Sequence, residues 1–281
     1  MRLFISILAH LSNSDTIFSM QQPEITAFYD KPTGSWTYVV AIGQSAAVFD
    51  PVLGFDPVTG ATSTDGADQI IAYVRSRALI CEWVIDTHIH ADHLTAMPYI
   101  KQHLGGRTGI TIKVRDSLAL WAPKLNLGVP MDGSQFDHLF DEKGFQFAGT
   151  QVQMMHAPGH TPADTVFVIG DAALVGDCLL MLDEGTGRCD FPGGSAADSW
   201  NSIQRIFTLP DATRVFVAHS YTDPPQHVAT IADHKQNNVR LKAGTDKNAY
   251  VTRRNADDAG KSEPKLMKYA LPVNLRAGSL L

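Results

Sequence analysis

Apolar and polar positions change their period several times along this chain, and each change marks an element. The strand-forming runs Tyr38–Gly43 and Ala46–Asp50 flank a Gly-Gln-Ser turn and predict a hairpin. Ile70, Ile71 and Val74 then recur at helical spacing and predict a helix over Asp68–Arg77. The short apolar run CEWVID reads as a strand and leads directly into the polar string THIHADH. After it, Leu94, Met97, Ile100 and Leu104 mark one face of a helix that stops at Gly105-Gly106. Further strands are expected at Ile110–Val114, Phe145–Met155, Thr165–Ile169, Ala173–Val175 and Arg214–Ala218, with helices at Ser199–Phe207 and about Gln226–Leu241. The polar, poorly patterned stretch Asp246–Lys265 reads as a surface excursion.

One internal echo bears on architecture. VAIGQSAAVFD (Val40–Asp50) aligns without gaps on FVIGDAALVGD (Phe167–Asp177), placing Gly43 on Gly170, Ala46 on Ala173, Val48 on Val175 and Asp50 on Asp177. Two similar hairpins in equivalent halves, with strands and helices alternating, predict an α+β sandwich whose sheets are both covered by helices.

Composition narrows the classes. A chain of 281 residues, 44% apolar and 19% charged, can bury a large core, which excludes disordered, collagen-like and coiled-coil readings. Lys and Arg number 23 against 29 Asp and Glu, a net charge of −6 with no basic run, so nucleic acid is not an expected partner. Nothing approaches the ~18 uninterrupted apolar residues of a membrane span. The apolar opening Leu3–Ala9 stops at His10, and no A-x-A cleavage site follows before SNSDT. Residues 1–19 are therefore read as a leader or disordered extension, and 20–281 as a single domain. Cys81, Cys178 and Cys189 form no CxxC pair, and this odd count suits a reducing compartment, so the expected location is cytoplasmic.

The chemistry concentrates in THIHADH. His88, His90, Asp92 and His93 put three imidazoles and a carboxylate within six positions after a strand, a density that packing does not explain. A helix cap would use only one of these four side chains. Imidazole with carboxylate suits zinc, iron and similar divalent metals, one or two of them. Three further strand ends offer partners: His160 in HAPGHTPADT, Asp177 closing ALVGD and His219 closing RVFVAH. Strand-end loops on one edge of a sandwich are where a rigid scaffold presents function. His10, His103, His138, His156, His227 and His234 are read as structural or solvated.

HxHxDH at 88–93 followed in order by His160, Asp177 and His219 resembles the ligand set of the metallo-β-lactamase superfamily, whose fold is a four-layer αββα sandwich. Within it, HAPGHTPADT, GDCLL, GRCDFPGG, SIQRIFTLPDATRVFVAHSY and NLRAG resemble the persulfide dioxygenases and their bacterial relatives. That resemblance implies one Fe(II) per chain held by His88, His160 and Asp177, and oxidation of glutathione persulfide with O2 to sulfite and glutathione. It makes His90, Asp92, His93 and His219 partners that orient the ligands, and it carries the expectation of a homodimer. Where members of that group read His-Asp-Tyr, this chain has His219-Ser220-Tyr221.

Counting ligands favours a different reading. Seven candidates exceed the need of one metal with open positions, so the alternative is two Zn(II) or a mixed Zn/Fe pair with an activated bridging water. His90, Asp92, His93 and His219 would then hold the second metal, in a thioester hydrolase similar to glyoxalase II. For an anionic thiol carrier, Arg188, Tyr221 and Arg276 are the candidate contacts, and a loop-holding salt bridge to Asp190 is an equal reading of Arg188.

Overall fold

Every side chain of the strand Ser35–Ile42 is buried in the computed structural model, which describes residues 22–280, so both faces of that strand must be covered. The leader expected over residues 1–19 lies outside the described residues.

In the first half the strands are β1 (Glu24–Asp30), β2 (Ser35–Ile42), β3 (Ser45–Phe49), β4 (Val52–Phe55), β5 (Thr62–Ser63), β6 (Ile80–Ile85), β7 (Leu94–Thr95), β8 (Arg107–Thr111) and β9 (His138–Phe140). The second half adds β10 (Phe145–Phe147), β11 (Thr150–His156), β12 (Thr165–Ile169), β13 (Ala172–Leu174), β14 (Arg214–Phe216) and β15 (Val228–Thr230). The helices are α1 (Asp65–Ser76), α2 (Met97–Leu104), α3 (Val114–Trp121), α4 (Ala196–Ile206), α5 (Ile231–Asn237), α6 (Lys247–Asp258) and α7 (Met267–Asn274). One six-stranded sheet runs β1-β2-β3-β6-β8-β9 and another β10-β11-β12-β13-β14-β15, while β5-β4-β7 form a small third sheet.

Strand alternation sorts the side chains into three apolar layers. From β2, β3 and β6, Tyr38, Val40, Phe49 and Ile85 point at the second sheet, where they meet Phe167, Ile169, Leu174 and Phe216. Their neighbours Val39, Val48 and Val84 point the other way, onto Ile70 and Val74 of α1, Ile100 of α2, Leu118 of α3 and Leu271 of α7. On the far side of the second sheet, Val166, Val168, Val215 and Val217 pack on Ile203 and Ile206 of α4, Ile231 of α5 and Tyr250 of α6. The order helices, sheet, sheet, helices is the expected αββα sandwich.

The echoed segments occupy matching places. Val40–Asp50 contains the β2–β3 turn, and Phe167–Asp177 contains the β12–β13 turn; Gly43 and Gly170 both sit at φ +58°. Each hairpin is antiparallel, and its second strand takes a parallel neighbour, β6 in one sheet and β14 in the other.

Five expected segments differ, the first being the helix after THIHADH, where Leu94 pairs with Leu53 in β7 and α2 begins only at Met97. The Ile110–Val114 strand ends at Thr111, because Val114 opens α3 and buries with Leu118 one turn later. Phe145–Met155 is two strands, broken at the Ala148-Gly149 turn, where both residues have positive φ. Gln226–Leu241 gives β15 and then α5, which starts at a Thr230/Asp233 capping box. The polar tail contains α6, whose buried face is Tyr250, Arg254 and Asp258.

Candidate metal centre

The site is built where strand ends meet. Past Ile85, the Thr87 N–H donates to Asp50 Oδ1 at 2.7 Å and the Thr87 hydroxyl donates to Asp50 Oδ2 at 3.0 Å. With its one hydrogen so committed, the Thr87 oxygen accepts from His88 Nδ1 at 3.0 Å. His88 therefore presents Nε2 as a lone pair, and that atom is buried with no hydrogen-bond partner. His160, in the loop after β11, donates from Nδ1 to the Arg188 carbonyl oxygen at 2.7 Å, which leaves Nε2 as the atom that carries the lone pair, facing Asp177.

Asp177 follows β13 in a single tight turn, Gly176–Cys178. Gly176 has φ +52°, and a Cβ there would lie 2.8 Å from the Thr87 hydroxyl oxygen, so the loops approach this closely only with glycine. Asp177 Oδ1 accepts from His219 Nδ1 at 2.6 Å. Its Oδ2 lies 3.3 Å from His160 Nε2 and 3.9 Å from His88 Nε2. One ligand atom each from His88, His160 and Asp177 fall within 4.8 Å of one another, and all three residues are buried. Two unprotonated imidazole nitrogens and a carboxylate oxygen, one of them orphaned, fit a borderline divalent metal, and three protein donors leave coordination positions open.

Electrostatics agree with that donor set. Burial and the neighbouring His90 push His88 down to about 4, so it is a neutral imidazole at neutral pH. For Asp177, burial raises the pKa, but His219 and His160 outweigh it and hold the carboxyl well below its usual range. His219 is the opposite case: burial opposes its charge, and the flanking Asp177 and Asp92 raise it well above an ordinary histidine.

The other candidates surround this centre. His219 Nε2 donates to Asp92 Oδ2 at 2.8 Å, and the same oxygen meets His93 Nδ1 at 3.0 Å. His90 Nε2 donates to Asp50 Oδ1 at 3.0 Å. His90, Asp92 and His93 form a second group of ligand atoms within 4.8 Å, in which His90 Nδ1 and His93 Nε2 are buried without partners. Three residues here escaped the sequence reading: Thr87, Asp50, and Ser35, whose hydroxyl lies 3.1 Å from His219 Nε2 and 3.3 Å from His93 Nδ1. Asp50 had a signal, the alignment of Val40–Asp50 on the segment ending at Asp177.

A 340 Å³ cleft opens over His160, Asp177 and His219. Arg188, Arg240, Lys261, Tyr221 and Glu184 line it. Arg188 lines the cleft and makes the expected loop-holding salt bridge, pairing bidentately with Asp190 at 2.6 and 2.7 Å and lying over the Phe191 ring. Tyr221 stacks on His219 with ring centroids 5.9 Å apart. Arg276 is not brought to the cleft; it lies just past α7 and donates to the Pro272 carbonyl, because the turn after α7 aims its guanidinium back along the helix. The Ser220 hydroxyl turns away from His219, accepting from the Gln226 N–H at 3.1 Å, so it takes no part in orienting the histidine. Cys178 and Cys189 are buried, and burial pushes the Cys189 thiol up to about 12, which makes it a packing group and not a thiolate.

The sequence model described as the metallo-beta-lactamase superfamily matches residues 30–219, more than half of the chain, and this span contains every group of the centre. The chain belongs to the metallo-beta-lactamase superfamily. A "Beta-lactamase hydrolase-like protein" of Xylella fastidiosa is 43% identical over 269 residues, which are 93% of this superfamily member but 62% of that relative. The chain thus spans about three-fifths of that relative's length. "Glyoxylase B2" of Dictyostelium discoideum is 37% identical over 267 residues, 92% of this chain and 91% of its own. "Persulfide dioxygenase ETHE1, mitochondrial" of Bos taurus is 27% identical over 255 residues, 89% and 87% of the two chains. Among solved structures, ETHE1 from Myxococcus xanthus superposes with a TM-score of 0.73 at 25% identity, covering 91% of this chain and all of that one. Among the described residues, no helix is long and apolar enough to cross a membrane.

Proposed function

We propose that this metallo-beta-lactamase superfamily member is a persulfide dioxygenase with one ferrous iron per chain, held by His88, His160 and Asp177. The observation that carries the mononuclear reading is His219: its ring nitrogens lie 2.6 Å from Asp177 Oδ1 and 2.8 Å from Asp92 Oδ2, so it is engaged on both sides by carboxylates and serves as their hydrogen-bond partner. Bound there, ferrous iron supplies a redox-active centre with open positions at which persulfide sulfur and O2 can meet.

The chain's own residues do the positioning. Thr87 and the Arg188 carbonyl hold protons on the Nδ1 atoms of His88 and His160, which fixes the direction of both Nε2 lone pairs. His219 keeps its Nδ1 proton on Asp177 Oδ1, so the carboxylate presents Oδ2 to the centre. Phe191 stands edge-on to His160 and shields that side from water. Arg188, Arg240 and Lys261 on the cleft wall offer cationic donors for the carboxylates of a thiol such as glutathione. Overall, one glutathione persulfide, one O2 and one water give one glutathione, one sulfite and two protons, with cleavage of the S–S bond.

A second reading has its own support. His90, Asp92 and His93 form a further ligand group with two free nitrogens, and the hydrolase-like and glyoxylase relatives are more similar to this chain than the dioxygenase is. In that case a two-metal centre cleaves an acylglutathione thioester. Metal content per chain on protein purified without oxygen, with O2 consumption on glutathione persulfide, separates the two. About one iron with O2 uptake supports the dioxygenase; two metals, no O2 uptake and thioester cleavage establish hydrolysis.

A further inference from the structure

α6 buries a charged pair where an apolar pair would fill the same volume. Arg254 and Asp258 are 1% and 3% exposed, one helical turn apart, with Arg254 Nε donating to Asp258 Oδ2 at 2.9 Å. Removing two charges from water costs about as much as their attraction returns, so such a pair is poor evidence of a device for stability alone. What distinguishes this one is where its remaining hydrogen bonds go. Arg254 Nη1 donates to the Thr186 carbonyl at 3.0 Å, and Asp258 Oδ2 accepts the Cys189 N–H at 2.8 Å. Tyr250, one turn earlier on the same face, donates its hydroxyl to Thr186 Oγ1 at 3.1 Å. Three side chains of α6 thus grip the backbone and side chain of Thr186 and the backbone of Cys189.

Between those grips lie the two contacts that touch the metal centre. Gly187 N–H donates to the Asp177 carbonyl at 3.1 Å, and a Cβ on Gly187 would stand 2.2 Å from that oxygen, so the loop lies directly against Asp177. The next residue, Arg188, gives the carbonyl that holds His160 Nδ1 at 2.7 Å. The loop has no helix or strand of its own to set its path.

We propose that the Arg254–Asp258 pair is a positioning device for the metal centre. It holds the Thr186–Cys189 loop so that the Arg188 carbonyl fixes His160 and Gly187 backs Asp177. This rests on the reading of His160 and Asp177 as metal ligands, and it gives α6 a role at the site although none of its side chains is a ligand.

The test uses the metal-loaded chain. The rate at which a chelator removes the metal is measured for the wild type, Asp258→Ala and Asp258→Asn, beside the visible absorption of the Co(II)-loaded forms and the melting temperature. Asp258→Ala is expected to speed metal loss by ~10- to 100-fold and to shift the Co(II) bands, the cost typical of losing support behind a ligand. Asp258→Asn, which keeps an acceptor for the Cys189 N–H, gives a smaller change in the same direction and serves if the alanine variant does not fold. A lowered melting temperature with wild-type metal loss and an unchanged Co(II) spectrum overturns the proposal, leaving the pair merely structural. His160→Ala calibrates the experiment: metal held there at the wild-type rate overturns the ligand assignment and this inference with it. Absence of O2 uptake in the wild type overturns only the dioxygenase reading and does not touch the metal-retention result.

Discussion

His219 and Asp177 face each other at 2.6 Å through Nδ1 and Oδ1, and the contact turns the other carboxylate oxygen toward His88 and His160. If His219 orients and does not ligate, His219→Ala keeps one metal per chain at saturating metal while weakening its retention by ~10- to 100-fold. His160→Ala and Asp177→Ala lose the metal and the activity together. Elemental analysis of the purified variants decides: a fall from two metals to one in His219→Ala identifies that residue as a ligand of a second site.

The Thr87 hydroxyl connects Asp50 to His88. Thr87→Val keeps the shape and removes the acceptor, leaving a buried His88 Nδ1–H without a partner. Metal retention is expected to fall by about 10-fold, with Thr87→Ser close to wild type. Equal chelation rates in the valine and serine variants would show that the hydroxyl does not set the tautomer.

How far the sequence could be read follows from the kind of signal each element carries. β2, β3, β12 and β13 were legible because their alternating side chains are apolar on both faces, and the Gly43 and Gly170 turns punctuate them. The centre was legible because four of its residues crowd into THIHADH and the rest close strands. α6 was not, since its buried stripe of Tyr250, Arg254 and Asp258 has a helical period but little hydrophobicity, and hydropathy cannot see a buried ion pair. Ser35 was also invisible: it reaches the site only because the bridge from Ser35 to His219 joins residues far apart in the chain. Arg276 was placed by its position beside a family-like string, and such a string carries no signal for the turn after α7 that directs its guanidinium to the Pro272 carbonyl.

Arg188 bridges the cleft and its own loop. Its guanidinium is tied to Asp190 and the Ser262 carbonyl, and so is already oriented before any ligand arrives. Arg188→Ala is expected to raise KM for glutathione persulfide by roughly 10-fold or more, the scale of one charge-assisted hydrogen bond, with a smaller effect on kcat. Since the loop's backbone is held from α6, metal content should stay at the wild-type level. An unchanged KM would remove Arg188 from substrate binding and leave only its pairing with Asp190.

His234 offers a pH test away from the metal. It is fully buried on α5, its Nδ1 accepts from the Asn238 amide at 3.3 Å, and that amide also donates to the Gly185 carbonyl behind the cleft. Burial pushes its pKa down to about 4, against about 6.5 in the unfolded chain. Between those values the unfolded chain takes up a proton that the native chain refuses. Stability from this group is therefore complete above pH 6.5 and is lost as pH falls toward 4. Between pH 7 and pH 5 the loss is about 2 kcal/mol. Urea unfolding of metal-free wild type and His234→Gln at the two pH values measures it. The wild type should lose about 2 kcal/mol more than the variant on acidification, because His88 and His90 titrate alike in both and cancel in the difference. Parallel losses would mean that His234 is protonated in the native state and that its hydrogen bond to Asn238 does not require a free Nδ1.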